Sequence, residues 1–414
     1  MTFPIQAVRA RFPALGVRDG ARRRVYFDAP GGTQACDAAI RAMAEHLAGG
    51  TANSGGAFAA SVATDAASAA AHAAMADLLG AEADEIAFGP NMTSLTLAVS
   101  RALASGWGEG DELVVRRLDH DANVAPWLRV AADRGMTVRW LDFDPATGTL
   151  RLETLPGLLS ERTRLVAVGM ASNALGTLND IAAIAATVKA HSDALVFVDA
   201  VQAVPHVAVD VAALGADLLV CSPYKFFGPH AGVLWGRRAV LERIDAYKVR
   251  PAKTGVAHRF ETGTPSFEAQ AGVAGTIDYL DWLARETGDR SNDRPARLRA
   301  AMAACGAYER GLGERMLAGL ATIPGLTLYG PPTMAGRVPT FAFTVEGYHP
   351  DAVAEHLAAR GIFVWSGHFY AVEVIERLGL GDAGGLVRVG LCHYNTAEEA
   401  DRFLTALAEL ASVS

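Results

Sequence analysis

Short apolar runs alternate with helix-like segments through the first two-thirds of this 414-residue chain. Each run is rich in valine and leucine and too short for a core helix, so we predict that each forms a buried strand. Between the runs, residues such as 125–134 and 181–191 have helical character. Strands that alternate with helices predict an α/β fold, with helices covering both faces of a mostly parallel sheet. The predicted strands are 112–115, 137–141, 165–168, 195–198 and 218–220.

The pattern changes after about residue 285, where longer helix-like stretches at 294–321 and 350–360 begin. They surround strand candidates at 326–329, 339–345 and 386–391. This mixture predicts a smaller α+β domain, and the chain is also longer than a single core supports. The predicted division is an N-terminal segment (1–25) that packs near the small domain, a large domain (26–285) and a small C-terminal domain (286–414).

Charge and cysteine spacing exclude several classes of function. The net charge of −8 argues against a nucleic-acid or anionic-membrane partner. No stretch approaches the roughly 20 apolar residues that span a bilayer, and the first residues do not resemble a secretory signal. Cys36, Cys221, Cys305 and Cys392 lie far apart, which predicts no metal site and no disulfide framework. We therefore expect a cytoplasmic protein.

A lysine between aromatic residues is the first candidate for chemistry. Lys225 follows a predicted strand, and its apolar neighbours would lower its pKa, as an imine-forming amine requires. The alternative is a lysine that extends its ammonium group to water. Asp199 ends the preceding predicted strand, where it faces a ligand or caps a helix. Together they supply what pyridoxal 5′-phosphate (PLP) needs, a carboxylate for its ring nitrogen and a lysine for its aldehyde.

Three further segments carry polar groups toward the same edge of the predicted sheet. A strand, a Gly-Pro turn and a helix start at 86–95 leave backbone N–H groups at Asn91, Met92 and Thr93 to bind a phosphate. Hydroxyls of Thr93 and Ser222 could add to this cup. His120 follows another strand, where it either stacks on a planar cofactor and moves protons or caps a turn.

An arginine inside an apolar strand points to an anion. Arg388 lies between Val387 and Val389 in the small domain. A buried arginine is costly unless it is paired, and its planar fork suits a substrate carboxylate. An internal salt bridge would satisfy it equally well.

In order along the chain, these segments resemble the class V aminotransferase superfamily and, within it, the cysteine desulfurases. The resemblance runs over nearly the whole sequence. Its motifs are YFDAPGGTQ (26–34), DHDAN (119–123), SNALGT (172–177), DAVQA (199–203), SPYK (222–225), RFETGTP (259–265) and RVGLCHYNT (388–396).

The resemblance implies a PLP-dependent fold of type I, with a seven-stranded sheet in the large domain, and a PLP cofactor. It implies that Lys225 forms the Schiff base, that His120 stacks on the ring, that Asp199 pairs with the ring nitrogen and that Arg388 binds the substrate carboxylate. The resemblance also implies a homodimer, in which Thr264 reaches the partner's phosphate. The remaining implied contacts are Gln202 and Asn173 to the ring oxygen, and Met92, Thr93, Ser222 and Tyr224 to the phosphate.

The departures from the desulfurase pattern bear on the reaction. The desulfurase loop carries an Arg-Ser/Thr-Gly-His-His-Cys pattern, whose cysteine takes sulfur as a persulfide. The matching stretch here, 364–371, has Tyr370 at that position. Tyr224 also replaces a phosphate-binding histidine, and 53–58 lacks the usual arginine and histidine residues.

We therefore expect a PLP enzyme acting on a small amino acid, by C–S cleavage through β-elimination without a persulfide on this loop. The alternatives are a desulfurase that uses another cysteine such as Cys392, an aminotransferase, an epimerase, and a non-catalytic PLP-fold binding protein. Cys392 lies four residues after Arg388, so strand alternation would put both on one face, although a packed core thiol is the simpler interpretation.

Overall fold

The computed structural model describes residues 3–411, in which helices and strands alternate as far as residue 241. The strands are β1 Arg18–Asp19, β2 Arg22–Arg23, β3 Val25–Tyr26, β4 Ile86–Gly89, β5 Glu112–Arg116, β6 Thr137–Leu141, β7 Phe143–Asp144, β8 Thr149–Leu150, β9 Thr163–Gly169, β10 Leu195–Asp199, β11 Leu218–Cys221, β12 Gly232–Gly236, β13 Leu326–Tyr329, β14 Thr340–Val345, β15 Ile362–Phe363, β16 Trp365–Gly367 and β17 Leu386–Gly390. The helices are α1 Ile5–Ala10, α2 Asp37–Ala48, α3 Ala59–Leu79, α4 Met92–Leu103, α5 Ala125–Arg134, α6 Ile181–His191, α7 Val211–Leu214, α8 Arg238–Leu241, α9 Phe267–Glu286, α10 Arg294–Leu320, α11 Pro350–Ala358, α12 Val372–Leu378 and α13 Ala397–Ala411.

The larger sheet has seven strands in the order β4-β12-β11-β10-β9-β5-β6. The pairs from β11 through β10, β9 and β5 to β6 are parallel, and only β12 runs against its two neighbours. The mostly parallel, seven-stranded sheet that the sequence predicted is confirmed. The antiparallel β12 was not predicted from the sequence, because its Val-Leu-Trp run is short and is bounded by glycines.

Strand residues alternate between two apolar cores, one on each face of this sheet. In β10, for example, Val196 and Val198 pack into one core, which helices α3, α9 and α10 cover, while Phe197 packs into the other beside Trp127 of α5. Helices therefore shield both faces, which explains why the strands read as continuous apolar runs. The strand ends are left as the place where polar side chains can gather.

A second sheet of four antiparallel strands, in the order β13-β14-β17-β16, lies in the C-terminal part of the chain. Helices α11 and α13 pack with it around a separate apolar core. The N-terminal strand β3 pairs in parallel with β15, and Arg9 of α1 donates a hydrogen bond to the backbone oxygen of Tyr394. The chain start is thus tied to the C-terminal part.

None of the helices within residues 3–411 combines the length and the apolar character that crossing a lipid bilayer requires. The alanine-rich α3 has 21 residues, and it packs against α9.

Candidate cofactor site

A cavity opens at the carboxyl ends of the parallel strands. Loops after β4, β5, β9, β10 and β11 supply its walls, so residues far apart in sequence meet there. Most of the predicted site residues line it. The lining residues are Asn91, Met92, Thr93, Asp119, His120, Gly169, Ala171, Asn173, Asp199, Val201, Gln202, Ser222, Tyr224 and Lys225.

Lys225 lies in the single 3-10 turn that follows β11, one strand away from Asp199 at the end of β10. Its ammonium group donates a hydrogen bond to the backbone oxygen of Pro30 and lies 4.9 Å from the ring centre of Tyr224. Burial, with the nearby positive charge of Arg388, lowers the pKa of Lys225 to about 7. A large fraction of this amine is therefore neutral near pH 7 and able to attack a carbonyl group.

Asp199 is buried, and burial raises the pKa of its carboxyl to about 7. It accepts one hydrogen bond at 2.9 Å from the backbone N–H of Val201, so it also stabilises the turn after β10. An ionised carboxylate in this position needs a cationic partner. A protonated ring nitrogen would supply one.

A buried ion pair that the sequence analysis missed supports the strand ends beside Asp199. Arg116, at the end of β5, is fully buried and pairs with Asp119, while its guanidinium also donates to the backbone oxygen of Gly169 at 2.7 Å. Asp119 in turn accepts from the backbone N–H of Gly169 and from the side chain of Asn123. The pair joins β5 to β9 and holds the segment that carries His120. The sequence signal that could have revealed this ion pair is an arginine and an acid three residues apart at the end of a predicted strand.

The strand, turn and helix start predicted at 86–95 are present, but one of the backbone groups expected in the phosphate cup is already engaged. The backbone N–H of Met92 is not free, because it donates to Oγ of Ser222 at 3.1 Å, and Asn91 caps the helix by accepting from Ser94. The N–H of Thr93 precedes the first hydrogen bonds internal to the helix. Ser222 therefore joins the cup to the turn that carries Lys225.

His120 caps a turn, as one of the two interpretations of the sequence predicted, and it also lines the cavity. Its Nδ1 accepts from the backbone N–H of Ala122 at 3.0 Å, which caps a short turn, and its ring faces the cavity. Burial, with the charges of Lys225 and Arg388, lowers the pKa of His120 to about 4. The ring of Tyr370 stacks over it, with centroids 5.5 Å apart and planes inclined by 22°.

Tyr370 belongs to a loop that is held in an unusual backbone conformation. Phe369 and Tyr370 have φ of 54° and 58°, a region that large side chains rarely occupy. Three hydrogen bonds impose it: Asn173 Nδ2 to the oxygen of Phe369, Asp121 N–H to the oxygen of Tyr370, and Tyr370 N–H to Nδ1 of His368. The loop is thus attached to residues that flank His120 and line the cavity. Backbone strain of this kind persists where neighbours enforce it and is common at functional sites.

Arg388, in the middle of β17, is buried at 4% exposure, and no carboxylate within residues 3–411 lies within 4.0 Å of it. Its Nη1 donates to the backbone oxygen of Asn173 at 3.0 Å, and its guanidinium lies 4.3 Å from the ring centre of Phe369. Its Nε is buried without a partner among the described residues. The internal salt bridge considered from the sequence is not found there.

Asp28 is a second residue to which the sequence analysis gave no role. Burial raises the pKa of its carboxyl to about 6, while the nearby charges of Arg388 and Lys225 oppose that rise. Its Oδ1 is buried without a hydrogen-bond partner in the described residues. Asp28 lies in the first of the motifs quoted from the sequence, and that position was the sequence signal that could have revealed it.

Three predicted residues lie elsewhere or are already engaged. Thr264 is exposed in the loop before α9 and does not line the cavity of its own chain. Gln202 lines the cavity and donates to Oγ1 of Thr340 at 3.2 Å. β17 ends at Gly390, so the strand alternation expected between Arg388 and Cys392 does not apply, and Cys392 is packed in the apolar core.

Unsatisfied polar atoms in and near the cavity fit the cofactor that the motifs imply. Asn173 Oδ1 belongs to the lining, whereas Arg388 and Asp28 lie outside it but close enough for their charges to act on Lys225. Arg388 Nε and Asp28 Oδ1, like Asn173 Oδ1, are buried without partners in the described part of the chain. Buried polar groups are rarely left unpaired, so such atoms indicate a ligand. A neutral lysine, a buried acid for a ring nitrogen and a helix start for a phosphate together match PLP.

Comparisons with known proteins agree with this arrangement. Residues 25–403 match the family described as Aminotransferase class-V. An aminotransferase-like protein from Gibberella zeae is 34% identical, over 98% of this chain and 98% of its own length. A cysteine desulfurase from Pectobacterium atrosepticum is 32% identical, over 99% of this chain and 98% of its own length. The apo structure of a cysteine desulfurase from Thermococcus onnurineus superposes with a TM-score of 0.89, at 27% identity, covering 100% of this chain and 99% of that one.

Proposed function

We infer the function from the family: this chain belongs to the class V aminotransferases, which are PLP-dependent enzymes. Within that family, we propose that it cleaves the C–S bond of a small amino acid by β-elimination, without storing sulfur on a protein thiol.

One observation carries the proposal. All four cysteines of the sequence, Cys36, Cys221, Cys305 and Cys392, are buried with 0% exposure. Burial raises the thiol pKa of each of them, so the nucleophilic thiolate is disfavoured at every position. The exposed loop residue stacked over His120 is Tyr370, whose phenol cannot carry sulfur.

Bound PLP supplies an electron sink for the bonds at Cα of an amino acid. The residues around the cavity have separable tasks under this proposal. Lys225 anchors the cofactor and, when released, is the base that takes the Cα proton at Nζ. Asp199 stabilises positive charge on the ring nitrogen, and Arg388 orients the substrate through its carboxylate.

β-Elimination also needs a proton for the departing sulfur. The Cα–H bond breaks, a double bond forms between Cα and Cβ, and the Cβ–S bond breaks with its electron pair leaving on sulfur. We assign protonation of that sulfur to the Tyr370 hydroxyl, because Tyr370 stacks on His120 and its loop is attached to Asp121 and Asn173. Hydrolysis of the released enamine then gives ammonia and a keto acid.

Product analysis tests the reaction. Purified protein loaded with PLP is given L-cysteine, and sulfide, pyruvate, ammonia and alanine are measured. β-Elimination predicts sulfide, pyruvate and ammonia in equal amounts. Alanine in place of pyruvate would contradict the proposal in favour of desulfuration, and amino-group transfer without sulfide would contradict it in favour of transamination, the activity suggested by the name of the Gibberella zeae relative.

We also propose that the protein acts as a homodimer in a reducing cytoplasm. Thr264 is exposed and does not line the cavity of its own chain. In a dimer it would instead contact the phosphate bound by the partner subunit. Helices α2 and α3 pack on α9, which begins three residues after Thr264. These two helices and the residue before α3 expose large apolar side chains that an interface would cover. These are Ile40, Leu47, Phe58 and Val62, with exposures of 46%, 54%, 60% and 56%.

A further inference from the structure

Two histidines and a glutamate converge at a point that none of the cofactor contacts uses. His72 of α3, His258 and Glu261 place their ligand atoms within 4.8 Å of one another. We call these three residues the His72 cluster. None of them lines the cofactor cavity.

The hydrogen bonds of His72 leave a lone pair facing Glu261, a contact that only a proton or a metal ion can bridge. Nδ1 of His72 lies 2.7 Å from the backbone oxygen of Ser68, which can only accept, so Nδ1 carries the hydrogen. A neutral ring would then direct the lone pair of Nε2 at Oε1 of Glu261, which is 2.7 Å away. Glu261 also accepts from the backbone N–H of Phe88, which favours its ionised form. A cation must therefore lie between the two side chains, either a proton or a metal ion.

The ligand set and its surroundings suit a metal ion. Imidazole nitrogen and carboxylate oxygen are ordinary zinc ligands. The bond from Nδ1 of His72 to a backbone carbonyl is the outer support that ligating histidines typically have, since it fixes the tautomer with Nε2 free. His258 places Nδ1 2.9 Å from Oε2 of Glu261, so the two histidines contact the two oxygens of the same carboxylate.

The burial of the His72 cluster and its access to solvent also suit a metal ion. The side chains of His72 and Glu261 are each 4% exposed, which protects the bonds from water. The side chain of His258 is 27% exposed, which leaves a path from solvent to the cluster. The ring of Phe88 packs edge-on against His72 at 4.8 Å and holds it in place.

We propose that the His72 cluster binds one divalent transition-metal ion per chain, with zinc as the best match to its ligands. The site is structural. Glu261 joins β4, through Phe88, to the loop that carries Thr264 three residues later, so the metal stabilises the position of that loop. The inference does not depend on which reaction the enzyme catalyses.

The test uses holoenzyme from which any affinity tag has been removed. The protein is treated with a chelator, dialysed against Zn²⁺ or Co²⁺, freed of excess metal and analysed by elemental mass spectrometry. We expect about one metal per chain. Bound Co²⁺ should give absorption bands between roughly 500 and 700 nm, away from those of PLP, as low-coordinate sites with nitrogen and oxygen ligands do.

Two variants make the assignment specific. His258→Ala removes the partly exposed ligand and should lose the Co²⁺ bands and most of the bound metal. His191→Ala, at an exposed histidine on α6 that contacts only a backbone oxygen, should retain both. Wild-type protein without stoichiometric metal and without Co²⁺ bands would overturn the proposal, and a direct hydrogen bond between His72 and Glu261 would then account for their contact. Equal metal content in His258→Ala and wild type would also overturn it.

Discussion

The chemical properties of the site residues come from their immediate neighbours. Lys225 has a lowered pKa because it is buried beside the positive charge of Arg388, whereas Asp199 has a raised pKa because burial outweighs the nearby charges of Arg116 and Lys225. Arg388 is buried with a backbone oxygen and an aromatic ring as partners. A bound ligand would give each of the three a partner: an aldehyde for Lys225, a cationic ring for Asp199 and a carboxylate for Arg388. The site is thus prepared for a ligand at the cost of local stability.

The amine of Lys225 should control how fast the cofactor attaches. Only the neutral amine attacks an aldehyde, and its pKa is lowered to about 7. In cofactor-free protein mixed with PLP, the rate at which the visible band appears should fall about tenfold per pH unit below about pH 7 and level off above it. Stopped-flow absorbance measures this rate. A rate that still rises between pH 8 and 10 would mean that the amine has an ordinary pKa.

The same lysine should be the covalent attachment point. Lys225→Ala should abolish the visible band completely, and borohydride reduction of the wild type followed by peptide mapping should find the pyridoxyl group on Lys225. The chain has three other lysines to serve as internal controls, Lys189, Lys248 and Lys253. A label on any of these instead would refute the assignment.

Arg388 should affect substrate binding and leave cofactor binding intact. A hydrogen-bonded charge pair contributes about 1.5–3 kcal/mol, so Arg388→Ala should weaken amino-acid binding by roughly 10- to 150-fold. The visible band should remain, while the spectral shift caused by amino acids should need correspondingly higher concentrations. Titration of the band with L-cysteine and L-alanine checks this. Loss of the band itself would show that Arg388 is a structural residue.

At the scale of the elements, the apolar periodicity of the sequence predicted the positions of helices and strands. Residues 137–141, 125–134, 181–191 and 326–329 form the elements expected. The prediction that 137–141 is a buried strand is wrong, because β6 lies at the edge of the sheet and only Leu141 is buried. Strand β12 was missed because glycines bound it, and its antiparallel direction follows from the fold as a whole.

Tertiary contacts set the features of the site that the sequence could not reveal. The left-handed backbone at Phe369 and Tyr370 contradicts the local preference of both residues and depends on hydrogen bonds from Asn173 and Asp121, which are remote in sequence. The Arg116–Asp119 pair requires the turn after β5 to fold back on β9. Neither arrangement is encoded by the residues in its own segment alone.

The close approach of β12 to the phosphate cup gives a prediction at this scale. A Cβ atom at Gly232 would lie 2.3 Å from the carbonyl carbon of Asn91, so Gly232→Ala must push the start of α4 away. Overpacking costs about 1–3 kcal/mol, and we expect PLP affinity to fall roughly 5- to 150-fold. Gly106→Ala is the matched control, since a Cβ there meets nothing within 4 Å. Equal PLP affinity for the two variants, measured by cofactor titration, would contradict this account of the cup.

For the whole molecule, the account predicts a dimer in which each site uses both chains. Thr264→Ala and Lys225→Ala should each impair the enzyme. Mixed dimers of the two variants should regain one native site, because one chain supplies Lys225 and the other supplies Thr264. Light scattering at micromolar concentration should also give twice the chain mass of 43.4 kDa.

Recovery of about half the wild-type activity per mixed dimer would support the shared site. No recovery in mixed dimers, or a stable monomer that holds a full complement of PLP, would contradict it.

The central claim is that this enzyme breaks a C–S bond without a protein persulfide. The direct measurement is a short pulse of L-cysteine, followed by alkylation and mass spectrometry of the intact protein and of the peptides that contain Cys36, Cys221, Cys305 and Cys392. The account predicts free sulfide and no persulfide on any of the four, because all are buried and Tyr370 occupies the loop. As a positive control, Tyr370→Cys should accumulate a persulfide on the introduced thiol. A stoichiometric persulfide on wild-type Cys392, lost together with turnover in Cys392→Ser, would contradict the claim.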